Sequence, residues 1–254
     1  MGITGRKIRV ELGGDTILHN IDFEAGDGEL IGVLGPSGSG KSTLMLALNG
    51  FRPADRGAVT LDGRDLYEHF ESLKREIGYV PQDDIVPTAL DVESVLEYAV
   101  DLRLPDLSAE TRQGRVDGVL HKLDLADRRD LRVSKLSGGQ RKRVSVGVEL
   151  LARPSVLFAD EPTSGLDPAL ERSLTETFRG LTRDGSTVIV TTHVMSSLEL
   201  LDTVCLLHGG HLAYFGPVDR IKDYFGVDDY TDIYRKLEEH EPKDWRAKLD
   251  HTDL

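Results

Sequence analysis

Leu30-Ile-Gly-Val-Leu34 runs directly into Gly35-Pro-Ser-Gly-Ser-Gly-Lys-Ser42, and these residues together decide the fold. The apolar run shows no alternation, so it predicts a short strand buried on both faces. Gly35–Ser42 matches G-x-x-x-x-G-K-[ST], a phosphate-binding loop, in the place its physics requires, after a strand and at the start of a helix. Gly35, Gly38 and Gly40 let the chain fold tightly enough for successive N–H groups to point at an anion, with Pro36, Ser37 and Ser39 between them. A helix is expected from Lys41 through Leu44, Leu46 and Leu48, with Thr43 in its first turn and its positive dipole end facing the phosphates. Lys41 can reach the β- and γ-phosphates, and the Ser42 hydroxyl can coordinate Mg²⁺.

Further along, Val156-Leu-Phe-Ala-Asp160 reads as a hydrophobic strand that delivers a carboxylate at its C-terminal end, where sites of open α/β sheets lie. Asp160 is placed to hold Mg²⁺ through its water shell, and Glu161 to orient or deprotonate an attacking water. Leu136-Ser-Gly-Gly-Gln140 carries a capping box, Ser137 with Gln140, at the head of another helix. Gly138 and Gly139 weaken a helix start if capping is the only purpose. They fit a helix end whose N–H groups approach an anion closely. One chain already holds a full phosphate loop, so a second such helix end suggests a site shared between two copies.

Around these segments the texture alternates. Short strands with glycine-rich turns fill the first sixty or so residues. Helical spacing then dominates from about Asp91, with a helix over Arg112 to Leu123 and another starting near Ser137. Strand–helix alternation returns with Val156–Ala159, a helix carrying Leu170, Leu174, Phe178 and Leu181, and the strand Thr187–Thr191. Gly209-Gly210 predicts a hairpin between Val204–Leu207 and His211–Phe215. After Gly226 the chain is acidic and helix-prone.

Composition sets the outer limits. The 254 residues are 39 % hydrophobic and 30 % charged, with a net charge of −13. That charge argues against nucleic acid as a partner, because phosphate neutralisation needs clustered Lys and Arg. The basic cluster from Arg128 to Arg143 is expected to be a solvated helix face or a partner contact. No apolar run approaches the roughly 20 residues that span a bilayer, and no signal peptide is visible. The expectation is a soluble, cytosolic chain, with any membrane role supplied by a partner. The single Cys205 lies in an apolar run and reads as buried.

In this order and spacing, the phosphate loop, Gln82, Leu136–Gln140, Asp160-Glu161, Ser164-Gly-Leu-Asp167 and His193 resemble the nucleotide-binding domain of ABC proteins. The resemblance covers about residues 5 to 220. Gly78–Asp84, Arg141–Leu151 and Asp160–Pro168 are similar to the G subfamily, the White-type group, whose bacterial relatives fuse this domain to a permease. The resemblance implies an α/β P-loop NTPase (RecA-like) core with an antiparallel β subdomain. It also implies an inserted helical signature subdomain at about residues 88–150, leaving 221–254 as an acidic helical tail or linker.

Carried over by position, the family pattern makes Gln82 a sensor that touches Mg²⁺ and the lytic water. It makes Asp167 a contact to the opposite phosphate loop, and His193 a hydrogen-bond partner of the γ-phosphate. Ser137, Gly138, Gly139 and Gln140 close over nucleotide held by a second copy. The family's adenine-stacking aromatic is missing; its place falls near Leu12, which can offer an apolar contact instead. The implied function is ATP hydrolysis with Mg²⁺, in a homodimer of nucleotide-binding domains at the cytoplasmic face of the membrane, powering export by a transmembrane permease. A soluble non-transport ABC ATPase and a regulatory module without turnover are the alternatives.

Overall fold

The computed structural model describes residues 1–193 and 197–251, so the last residues of the tail, 252–254, lie outside it. The chain opens with two long antiparallel strands, β1 (Ile3–Leu12) and β2 (Asp15–Ala25), joined at Gly13-Gly14. Both glycines adopt positive φ, which is what a turn this tight demands. After β3 (Leu30–Leu34) and α1 (Lys41–Leu48), β4 (Arg56–Leu61) and the short β5 (Arg64–Asp65) complete a four-stranded sheet in the order β2-β1-β4-β5. Its neighbouring strands are all antiparallel.

A short helix, α2 (Phe70–Leu73), leads to β6 (Ile77–Val80). Three helices then come without an intervening strand: α3 (Val92–Arg103), α4 (Ala109–Lys122) and α5 (Gly138–Leu150). Each begins at a side-chain cap, from Asp91, Ser108 and Ser137 respectively. The core resumes with β7 (Val156–Ala159), α6 (Pro168–Arg183), β8 (Thr187–Thr192), β9 (Thr203–His208) and β10 (His211–Pro217). The second sheet has the order β10-β9-β3-β8-β7-β6; all its pairs are parallel except the β9–β10 hairpin.

This is the α/β P-loop NTPase fold the sequence implied, with its antiparallel sheet and its helical insert. β3 is buried at every position, as the unbroken apolar run required. Its residues divide by the period of two: Leu30 and Leu34 face one core, Ile31 and Val33 the other. The first core holds α3 to α6, and the second holds α1 and the antiparallel sheet. The C-terminal ends of β3, β7 and β8 therefore converge on one edge, with helices on both sides.

The chain ends in α7 (Ile221–Phe225), α8 (Asp232–Leu237) and α9 (Pro242–Asp250). The sequence left open whether this stretch packs back, and it does. Tyr224, Phe225, Ile233, Leu237 and Trp245 all join the first core. The Trp245 indole N–H donates to the Leu237 carbonyl at 3.0 Å. Cys205 is fully buried, and that burial pushes its thiol pKa up.

Candidate functional site

The phosphate loop takes a shape that only its composition permits. Gly35, Gly38 and Gly40 all sit at positive φ, between 77° and 149°. A Cβ at Gly40 would lie 2.7 Å from the Leu18 side chain, and one at Gly35 would strike the Leu207 carbonyl and Ser39. Above Gly38 the space is open. Ser37 and Gly38 are exposed while Ser39 is buried, its hydroxyl without a hydrogen-bond partner among the described residues. Gly40 caps α1 in the left-handed region, so the first N–H groups of that helix, including those of Ser42 and Thr43, have no intrahelical acceptor. A cradle of this kind fits the polyphosphate of a nucleotide.

Lys41 is 6 % exposed, and its ammonium donates to the loop's own carbonyls, Gly35 at 3.0 Å and Pro36 at 3.2 Å. It thereby holds the loop curled and stands 3.7 Å from the Glu161 carboxylate. Glu161 is the focus of the site. The Gln82 side-chain amide donates to it at 3.4 Å, and the His193 ring nitrogen Nδ1 lies 3.7 Å away. Asp160 is buried and accepts from the Ser42 hydroxyl at 3.2 Å. A hydroxyl and one carboxylate side by side, open to phosphate oxygens, suit Mg²⁺, which prefers few protein ligands plus substrate phosphate.

Two residues in this network escaped the sequence reading. The Thr191 hydroxyl donates to Asp160 Oδ1 at 2.6 Å and accepts from the Glu161 backbone N–H at 2.7 Å. One side chain thus fixes the relative orientation of the two carboxylates. The available signal was a polar residue at the end of a strand otherwise apolar and buried, Thr187–Thr191. Glu161 itself has φ +42°, a left-handed conformation uncommon for a residue with a Cβ, and such strain gathers at functional sites. The second missed residue is Lys142, on α5. The sequence placed it in a basic cluster expected to be a solvated helix face or a partner contact, yet it is 6 % exposed. It donates to the Gln82 carbonyl at 2.7 Å and pairs with Asp84 at 2.9 Å. Of the other basic residues of the cluster, Arg128, Arg132 and Lys135 are exposed, whereas Arg129 and Arg143 are half-buried, Arg129 pairing with Glu93 and Asp117 and Arg143 with Asp124.

The capping box at Ser137 and Gln140 forms as the spacing required, with both reciprocal bonds present. Its two glycines differ in purpose. Gly138 is exposed, and an added Cβ would meet only Leu166, at 4.0 Å. Gly139 is buried, and a Cβ there would press to 3.2 Å from Leu170 on α6, so its glycine also serves packing. Among the described residues no hydrogen bond or ion pair joins Ser137–Gln140 to the phosphate loop. Asp167 caps α6, accepting from Ala169 and Leu170 N–H at 3.0 Å each, with Pro168 at the first helical position. Leu12 ends β1, half-buried against the second core. It is Ile17 and Leu18 on β2 that lie against Gly40.

A phosphate cradle beside a carboxylate that gathers lysine, glutamine and histidine is a nucleotide-hydrolysis geometry, and the signature helix narrows it to one kind. A family model for ABC transporters matches residues 18–164, more than half of the chain. The chain belongs to the ABC transporter family. It is 44 % identical over 236 residues to the ABC transporter ATP-binding/permease protein Rv1747 of Mycobacterium tuberculosis, a match covering 92 % of this chain and 27 % of that protein. It is 38 % identical over 217 residues to ABC transporter G family member 26 of Arabidopsis thaliana, covering 82 % and 31 %. The chain thus spans about a third or less of the length of these relatives. Its fold matches cbiO1 from Clostridium perfringens, part of the ABC transporter complex cbiONQ. That match has a TM-score of 0.81 and 25 % identity, and covers 96 % of this chain and 97 % of that one. The family assignment and the G-type likeness agree with the phrases that carried them in the sequence.

Proposed function

We propose that this chain hydrolyses ATP as the nucleotide-binding domain of a G-type ABC exporter, working as a head-to-tail homodimer that drives a transmembrane permease. The observation that carries the reading is the convergence on Glu161 of Lys41, Gln82 and His193, each within 3.7 Å of its carboxylate. In this reading residues 5–220 are the domain proper, about 88–150 its helical insert, and 221–254 a tail.

Nucleotide phosphates would take over the Lys41 ammonium from the Gly35 and Pro36 carbonyls, and the Gly38–Ser42 backbone would cradle them. Mg²⁺, held by Ser42, Asp160 and Gln82, would neutralise charge on the phosphate oxygens. Glu161 orients the attacking water and accepts its proton, and His193 hydrogen-bonds the γ-phosphate. Ser137, Gly138, Gly139 and Gln140 of a second copy close the site, and Asp167 reaches the opposite phosphate loop while it caps α6. Leu12 supplies an apolar contact to adenine. That Glu161 and His193 are both retained favours turnover over a regulatory module.

No helix among the described residues is long and apolar enough to cross a membrane. The permease is the proposed membrane component, and it sets this domain at the cytoplasmic face. Exposed apolar side chains on and around the insert support such a partner: Ile85, Tyr98 and Leu102 are 78 %, 58 % and 83 % exposed. A groove of about 630 Å³ lined by Phe51, Phe70, Tyr79 and Leu104 lies at the C-terminal end of α3. Nucleic acid has no part in this reading.

The deciding experiment is light scattering behind size exclusion on Glu161→Gln, with and without Mg-ATP. An ATP-dependent shift from monomer to dimer supports the shared site and the role of Glu161. Failure to bind ATP overturns the proposal.

A further inference from the structure

The C-terminal segment does more than cover apolar surface. Its path brings it against the phosphate loop by two routes. The first runs through the Gly209-Gly210 turn of the β9–β10 hairpin. On one side of that turn the Gly210 N–H donates to the Ser39 carbonyl at 3.2 Å, inside the phosphate loop, and the Gly210 carbonyl accepts from His19 N–H at 2.9 Å. On the other side, Pro242 at the head of α9 packs so closely that a Cβ on Gly209 would lie 2.7 Å from its ring. The turn is thus hydrogen-bonded to the loop on one side and, at Gly209, packed against the tail with no room for a side chain on the other.

The second route is Tyr234 on α8. Its ring packs against the first core, and its hydroxyl is buried with no hydrogen-bond partner among the described residues. Burying a hydroxyl unpaired is costly, and phenylalanine would fill the same space without that cost. The surroundings show where the hydroxyl is aimed. Burial pushes its pKa up to about 12, the adjacent Gly35 backbone pulls it down, and the Glu161 charge raises it. The tail therefore places a polar atom beside the first residue of the phosphate loop and within the field of the carboxylate at the heart of the site.

We propose that the segment Ile221–His251 senses the state of the phosphate loop. Pro242 acts through the glycine turn, and Tyr234 is a positioning residue whose buried hydroxyl on α8 faces Gly35. The inference rests on the proposed binding of Mg-ATP at this loop. When phosphates draw the Lys41 ammonium off Gly35 and Pro36, both routes feel the change, and the tail docks more firmly. Coupling of this kind is reciprocal: a tail that tightens on nucleotide must itself tighten nucleotide binding by the same factor.

The test combines hydrogen exchange of peptides from 221–251 with calorimetric titration of Mg-ATP, on the full chain and on two variants. Tyr234→Phe keeps the ring and removes the oxygen; Gly209→Ala drives Pro242 off the turn. In the unmodified chain, Mg-ATP should slow exchange in the tail. Both variants should bind Mg-ATP about 5-fold or more weakly and lose most of that protection. The melting temperature of Tyr234→Phe should be unchanged or higher, whereas a merely structural hydroxyl would move stability and leave affinity alone. Mg-ATP binding with tail exchange unmoved overturns this inference and leaves the proposed function standing. A chain that fails to bind Mg-ATP overturns both.

Discussion

The Lys142 ammonium lies 2.7 Å from the Gln82 carbonyl, so helix α5 is pinned to the loop that carries Gln82. The same ammonium pairs with Asp84 at 2.9 Å, and Asp84 in turn accepts from the Ser145 hydroxyl at 3.4 Å. A buried lysine is tolerated only when its charge is met in this way. The consequence is mechanical. Any shift of α5, which heads with the surface proposed to close on a partner's nucleotide, drags the backbone of Gln82, whose side chain touches Glu161.

Lys142→Met keeps the length of the side chain and removes the link. Mg-ATP affinity should stay within about twofold, because no phosphate contact is lost, while turnover drops by about tenfold to a hundredfold as Gln82 loses its register. A double-mutant cycle with Asp84→Asn, read by denaturant unfolding, should give a coupling of about 1–3 kcal/mol. Turnover equal to that of the unmodified chain would show that α5 and the Gln82 loop act independently.

The left-handed backbone at Glu161, φ +42°, gives a separate test of how the site stores strain. Glu161→Gln and Glu161→Gly both remove the charge, so their difference isolates the backbone. A side chain in this region costs about 1–2 kcal/mol that glycine does not incur. Glu161→Gly should therefore be more stable than Glu161→Gln by about 1 kcal/mol, even though glycine is usually the less stable choice. The midpoints of urea unfolding decide it. A glycine variant less stable than the glutamine one would mean that this conformation carries no strain.

The range of each interaction decides whether the sequence discloses it. The strand–loop–helix from Leu30 to Leu48, the caps at Ser137 and Asp167, and the Gly209-Gly210 hairpin are local events, written in neighbouring residues. Asp160 was readable because it follows directly on an apolar strand, and Glu161 because it is the next residue. Thr191, Lys142 and Tyr234 are different. Thr191 and Lys142 meet their partners across 30 and 60 positions of chain, and Tyr234 lies beside a loop 199 positions earlier; only the folded sheet and the returning tail bring these groups together. Gly139 shows the same limit from the other side, since its crowding by Leu170 comes from a helix that lies beyond a strand and a loop.

Ser137 has two roles to separate, a helix cap that is visible and an anion contact across a dimer that is proposed. Ser137→Ala removes both and should cost about 1 kcal/mol of stability. Ser137→Asp keeps a capping oxygen and places a negative charge where a partner's γ-phosphate is proposed to sit. That variant should melt within a degree or two of the unmodified chain, bind Mg-ATP as a monomer, and fail to dimerise or turn over. Dimerisation that survives the aspartate, measured by light scattering on the Glu161→Gln background, would remove Ser137 from the shared site.

Acid should act in part through the cap of α3. The Asp91 carboxylate accepts from the Ser94 N–H at 2.8 Å and the Ser94 hydroxyl at 3.0 Å, and the backbone bond above all holds its pKa below the usual carboxylate value. A carboxyl whose folded pKa is depressed stabilises the fold fully above its unfolded pKa of about 4, and that contribution fades as the pH falls through the folded value. Unfolding free energy should therefore decline as the pH drops below about 4. An asparagine in its place would still cap the helix but would not titrate, so Asp91→Asn should lose less stability over that interval than the unmodified chain. Identical acid profiles, measured by urea unfolding at a series of pH values, would show that the Asp91 cap does not set the acid limit of the insert.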